Sequence, residues 1–292
     1  MAPHGPAAES GKVFWEMSDK GSVVSTRRSA FTLIELLVVV AIIALLISIL
    51  LPSLSKAREQ AKAVKCGANL HQMALCLTMY LDDNKGYFPG EHSASPQHSR
   101  PINTYAPRLR RYASLQEQLW WCPSAAPRSW WKPVRGSLSG YSGAELASAR
   151  AYGYQLDERP MNSWTDLFCY GYNSWGVSET FHRPNVHYGL GAHVDDPTVP
   201  WAWNVRIAEI KVPGDMIAIA DSTADGNWDT AIDPENWQDA ENPSRRHYGG
   251  AEVLFVDGHA AYERQTRLIE PTEWARQRWN VDHLPHKEDW QD

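Results

Sequence analysis

Residues Phe31–Leu51 read FTLIELLVVVAIIALLISILL, an apolar run of about the twenty residues a helix needs to cross the hydrocarbon core of a bilayer. Within lipid a backbone must satisfy its own hydrogen bonds, so a run of this kind predicts a helix. Arg27 and Arg28 stand directly before it, and the positive-inside rule holds the N-terminus in the cytoplasm and places the chain beyond Leu51 outside. A secretory signal has a shorter apolar core and a small-residue cleavage site on its far side. Pro52-Ser53-Leu54-Ser55 is not such a site, and a plain signal anchor is the simplest reading of the hydropathy alone.

Glu35 goes beyond that reading. A carboxylate in a lipid-facing helix is costly and marks function, so it requires a positive partner. Cleavage between Ala30 and Phe31 creates one, a new α-amino group at the head of the helix. In a bundle of such helices Glu35 of one chain reaches Phe31 of the next, and low dielectric strengthens the attraction.

The segment RRSAFTLIELLVVVAIIALL closely resembles the cleavage and methylation motif of type IV pilins and type II secretion pseudopilins. The resemblance implies cutting before Phe31 by a prepilin peptidase, N-methylation of Phe31, and Glu35 as the family's glutamate. Where the family usually has glycine before the cut, this chain has Ala30, the smallest replacement. A leader over residues 1–30 is long for the family, and Met17 offers an alternative start.

Past Leu51 the pattern becomes amphipathic. Ala57, Ala61, Val64, Ala68, Leu75 and Met79 recur at helical spacing, while Lys56, Arg58, Glu59, Lys62 and Lys65 occupy other positions. One helix from the membrane to about Leu81 is expected, kinked or loosened at Pro52. Asp82-Asp83-Asn84-Lys85-Gly86 supplies its stop.

Residues 86–107 lack periodicity and read as loop, and Leu119–Ser124 as a short apolar element ending in a turn. Met216–Ala220, Ala251–Val256 and His259–Tyr262 read as strands. Asp257-Gly258 between the last two is the signal of a type I′ hairpin, whose central residues both take positive φ. Lys65–Pro89 and the segment HYGGAEVLFVDG, with His247, Asp257 and Gly258 in H-x9-DG spacing, resemble a planctomycete-type subgroup of pilin-like proteins. The resemblance implies an α+β pilin-like fold. The long N-terminal helix is membrane-spanning in its first half and amphipathic in its second, and packs on an antiparallel β-sheet head.

Cys66, Cys76, Cys122 and Cys169 show no C-x2-C spacing, so no sulfur-ligated structural metal is expected from the sequence. Outside the cytoplasm pairing is favoured, with three connectivities open. The subgroup's recurring cysteines imply Cys66 with Cys122, and buried free thiols are the alternative.

Further chemistry rests on residue types alone. His247, Asp257, His259 and Asp221 could gather as a metal or acid–base site. Asp225, Asn227 and Asp229 are oxygen ligands of the kind calcium takes, the one cofactor the sequence offers. Asp221, Ser222 and His247 supply triad residue types without a G-x-S-x-G context, and no phosphate loop is present, so no enzyme is expected. A net charge of −6 argues against nucleic acid as partner.

The expected organisation is a cytoplasmic leader over 1–30, the helix over 31–84 and an extracytoplasmic head over 85–292. The chain reads as a structural subunit of a pilus or secretion-type filament, single-pass in the inner membrane. Its implied partners are prepilin peptidase, other pilin-like subunits and the pilus or secretion assembly machinery. The alternative is an anchored protein that never polymerises and binds ligand through a head rich in tryptophan, among them Trp120, Trp121, Trp130, Trp131, Trp164, Trp175, Trp201, Trp203, Trp228 and Trp237.

Overall fold

The computed structural model describes residues 31–93, 101–136, 138–163, 165–175, 188–191, 193–194, 205–226, 228–235 and 241–290. The leader with Ala30, and Asn227, Trp164, Trp201, Trp203 and Trp237, lie outside the described residues.

Helix α1 spans Leu33–Asp83 and continues through Pro52. The proline removes one helical hydrogen bond, and the boundary between the chain's two compact units falls there, between Leu51 and Pro52. By length and composition α1 can cross a membrane. Side chains from Phe31 to Arg58 are all exposed, an aliphatic surface that water alone would not tolerate. The helix stops as its sequence predicts: Gly86 takes φ +80°, and its N–H donates to the Leu81 carbonyl at 2.7 Å.

Eight strands follow among the described residues: β1 (His92–Ser93), β2 (Ile102–Asn103), β3 (Tyr170–Asn173), β4 (His193–Val194), β5 (Ile217–Asp221), β6 (Ala231–Ile232), β7 (Gly250–Phe255) and β8 (Ala260–Arg264). The main sheet has the order β6-β3-β5-β7-β8, antiparallel throughout except for the β3–β6 pair. Strands β1 and β2 of a small sheet of order β2-β1-β4, and the first turn of helix α2 (Tyr105–Arg110), lie in the stretch that reads as loop, where strands of two residues leave no periodicity to detect. Helix α3 (Gly143–Tyr152) starts on a reciprocal Ser142–Glu145 capping box, and α4 (Gln265–Ile269) and α5 (Glu273–Gln277) follow the sheet.

The central strands are buried on both faces. On one face Ile219, Leu254 and Val256 join Leu70, Met73 and Leu77 of α1 in one core. On the other, Ile217, Ala251, Val253 and Phe255 pack with Leu268 and Trp279. The fold is therefore α+β, a long apolar N-terminal helix followed by a mainly antiparallel sheet.

The buried side of α1 is not the expected one. Cys66, Leu70, Met73, Ala74, Leu77, Tyr80 and Leu81 face the sheet, whereas Val64, Leu75 and Met79 are 74%, 66% and 52% exposed. Two stripes satisfy helical spacing in this segment, and periodicity alone cannot choose between them. The sheet selects the stripe with the larger side chains, because it buries more apolar area.

Candidate functional site

At the head of α1, Thr32 and Glu35 form a reciprocal cap. The Thr32 N–H and hydroxyl donate to Glu35 Oε2 at 2.9 and 2.8 Å, and the Glu35 N–H donates to Thr32 Oγ1 at 3.2 Å. Glu35 thus has a partner within its own chain. The T-x-x-E spacing carries this signal, which the search for a positive partner passes over. Phe31 is 77% exposed just before the cap.

In the head, four side chains from four separate segments meet in the core: Cys66 on α1, Cys122, Asp221 at the end of β5, and His247. All are buried, and one ligand-type atom from each lies within 4.8 Å of the others. Asp221 Oδ2 is 3.1 Å from His247 Nε2 and accepts the Glu252 N–H of β7 at 3.1 Å. Cys66 Sγ is 3.5 Å from Asp221 Oδ1, and Cys122 Sγ is 3.5 Å from His247 Nε2. The two thiols that the resemblance pairs therefore share one cluster, as free cysteines. Each residue is held from outside the cluster. Tyr170 of β3 bonds Cys66 Sγ at 3.3 Å, and the Trp130 indole N–H donates to the Cys122 carbonyl at 2.8 Å.

Burial alone would raise the Asp221 carboxyl, but the hydrogen bond to His247 and the charge of Arg246 hold it below the usual range. Burial would likewise lower His247, yet its bonds to Asp221 and Cys122 push it up to about 10. Cys66 is raised by burial, whereas Cys122, despite burial, is lowered to about 7 by its bonds to Cys66 and His247. The cluster is a charged centre inside an apolar core, with Arg246 at 3.8 Å from Asp221.

His247 reaches the cluster through a tight turn. Its N–H and carbonyl exchange bonds with Gly250, both 3.0 Å, across Tyr248 (φ +52°) and Gly249 (φ +83°). Both central residues have positive φ, so the I′-type geometry expected at Asp257-Gly258 occurs here. Gly250 is fixed by a close approach: a Cβ there would overlap the Glu263 carbonyl oxygen of β8.

At Asp257-Gly258 only the glycine has positive φ, +95°. The Gly258 N–H donates to the Phe255 carbonyl at 3.0 Å, and the Phe255 N–H to the His259 carbonyl at 2.9 Å, the three-residue loop with glycine in the left-handed position. Asp257 retains negative φ and uses Oδ1 to accept from the His259 N–H at 3.0 Å and to pair with its ring at 2.6 Å. Asp257 and His259 are half-exposed and pair with each other rather than joining His247 and Asp221.

Ser222 and Asp229 both bond to backbone within the head. The Ser222 hydroxyl donates to the Asp229 carbonyl at 2.7 Å, facing away from any triad role. Asp229 accepts N–H bonds from Phe168, Asp225 and Gly226, so its carboxylate closes the turn that carries the calcium-type oxygen ligands. Asp225, Asp229 and Glu241 bring carboxylate oxygens together there. Trp120, Trp131 and Trp175 are buried, and half-buried Trp121 and Trp130 stack at 5.3 Å with both indole N–H groups donating to backbone carbonyls.

With this geometry established, known proteins place the N-terminal segment in a class. Residues 25–51 match the family described as the prokaryotic N-terminal methylation motif, which makes the segment prepilin-type. The chain is 46% identical over 57 residues to the type IV wide pilus major component PilA4 of Thermus thermophilus, covering 20% of this chain and 44% of that one. It is 34% identical over 86 residues to type II secretion system core protein G of Aeromonas hydrophila, covering 30% of this chain and 59% of the relative. The chain thus spans about half the length of the curated relatives it matches. No solved structure matches it significantly.

Proposed function

We propose that the chain is a structural, non-enzymatic subunit of a type IV pilus or type II secretion-type filament. In this reading prepilin peptidase cuts before Phe31 and N-methylates it, the helix anchors the subunit in the inner membrane with the head outside, and assembly proceeds through α1. The observation that carries the reading is the apolar stripe of α1 that the sheet leaves uncovered, Val64, Leu75 and Met79 together with Ala57, Ala61 and Ala68. A chain that only anchored a head would have no use for a second apolar stripe beyond the membrane. A neighbouring copy buries it, as large exposed patches are buried at interfaces. The prepilin-type motif and the two relatives support the same reading.

Two measurements test it. The N-terminus of the chain isolated from its native membrane should be N-methylated Phe31; an intact Met1 or Met17, or a cut beyond Leu51, overturns processing. Leu75→Glu, at a 66% exposed position, should change head stability by no more than about 0.5 kcal/mol and strongly reduce filament formation. Filaments at the unsubstituted level would remove the stripe as the assembly surface, and an unsubstituted chain that forms no filaments would favour the anchored binding protein instead.

A further inference from the structure

We propose that Cys66, Cys122, Asp221 and His247 bind a structural zinc ion in the core of the head. Zinc takes sulfur, imidazole nitrogen and carboxylate oxygen in four-coordinate sites, and this cluster offers two, one and one of these. Ligand distances of about 2.0–2.3 Å around a tetrahedral ion put neighbouring donor atoms roughly 3.3–3.8 Å apart. Cys122 Sγ lies 3.5 Å from His247 Nε2, Cys66 Sγ 3.5 Å from Asp221 Oδ1 and His247 Nε2 3.1 Å from Asp221 Oδ2, and one ligand atom from each residue lies within 4.8 Å of the others, so drawing the four inward seats an ion.

Charge points the same way. Two thiolates and a carboxylate around Zn2+ leave one net negative charge, and Arg246, 3.8 Å from Asp221, offsets it. A Cys66–Cys122 disulfide would use neither the imidazole nor the carboxylate aimed at the sulfurs. A surface cleft lies beside residues that flank or bond the cluster. It measures about 760 Å³ and is lined by Gly67, Tyr248 and Glu252. The first two adjoin Cys66 and His247 in the chain, and the third bonds Asp221 through its N–H.

Such a site joins α1 to β5, to the Cys122 segment and to the turn carrying His247. It accounts for the placement of His247 in the H-x9-DG segment as a ligand, with Asp257 and Gly258 making the hairpin alone. The site belongs to the head and does not depend on whether the chain assembles.

The full chain, extracted in detergent from its native membrane without reductant, should carry about one zinc per chain, as a closed four-ligand site holds one ion. Exchange with Co2+ should give a thiolate-to-cobalt charge-transfer band in the near ultraviolet, with the visible bands of a tetrahedral site. Cys122→Ser should abolish the charge-transfer band or reduce it by half, and His247→Gln should weaken zinc binding more than about a hundredfold, beyond what loss of an outer partner does. Cys76→Ser, a buried α1 cysteine outside the cluster, should leave the spectrum unchanged. The cobalt spectrum of the unsubstituted chain requires no variant to fold. A chain without zinc, a Cys66–Cys122 disulfide by mass, or a cobalt spectrum without thiolate character overturns the proposal.

Discussion

Glu35→Gln is expected to abolish filament formation while leaving the chain folded, inserted and cut before Phe31. Glutamine serves at the third position of a capping box as glutamate does, so the bonds with Thr32 survive in kind and the start of α1 is preserved. Only the charge is lost. In the proposed assembly that charge faces the α-amino group of Phe31 from a neighbouring chain within lipid. Breaking one side of such a pair costs about 3 kcal/mol or more, over a hundredfold in each association step. Glu35→Ala removes cap and charge together, so comparison of the two separates the helix start from the contact between chains. Electron microscopy of sheared surface material, beside an immunoblot for the processed chain, reads both. Filaments of normal abundance from Glu35→Gln would mean that the glutamate serves its own helix alone.

Asp221→Asn is expected to destabilise the head by about 3 kcal/mol, the scale for removing one partner of a buried ion pair. The side chain is fully buried, and its oxygens meet His247, Cys66, Arg246 and the Glu252 N–H. Asparagine fills the same space, so packing is held constant and charge is the variable. Arg246 keeps its bonds to the Cys169 and Ser222 carbonyls but loses its anionic neighbour. Thermal unfolding of the purified chain in detergent, followed by near-ultraviolet circular dichroism, measures the loss. The double variant with His247→Gln should cost less than the sum of the single changes, because the two residues share one interaction. A loss under about 1 kcal/mol would place the pair among surface-like ion pairs and remove it as an organising centre.

The elements with strong local signals were legible before any coordinates. A run of aliphatic residues with one carboxylate has a single stable answer in lipid, so the first half of α1 follows from residues 31–51 alone. The polar stop with Gly86 fixes its end, and the apolar runs Met216–Ala220 and Ala251–Val256 mark, within one residue, the two longest fully buried strands, Ile217–Asp221 and Gly250–Phe255. The prepilin-type motif is equally local. Other features were misplaced because two local arrangements satisfy the same pattern. Either stripe of α1 fits helical spacing, and Asp-Gly fits both a I′ turn and a three-residue loop with one left-handed glycine. Tyr248, a poor residue for positive φ, carries no signal for the turn it makes.

The buried cluster was legible in the chain only as two separate pairs, Asp221 with His247 and Cys66 with Cys122, and nothing in the chain as written joins them. Cys66, Cys122, Asp221 and His247 lie on four distant segments, and none has a neighbour at metal-ligand spacing. Their convergence depends on Cys66 of α1 meeting Tyr170 of β3 and Asp221 of β5, and on the antiparallel β5–β7 register that sets Glu252 against Asp221. Sequence by itself determined the anchoring helix, its prepilin-type start and its stop, because hydropathy, capping and backbone hydrogen bonding act over a few residues. Tertiary structure alone decided which side of that helix is buried, which is left exposed, and which four side chains meet in the core. Those outcomes depend on area buried and charges paired between segments that only the sheet brings together.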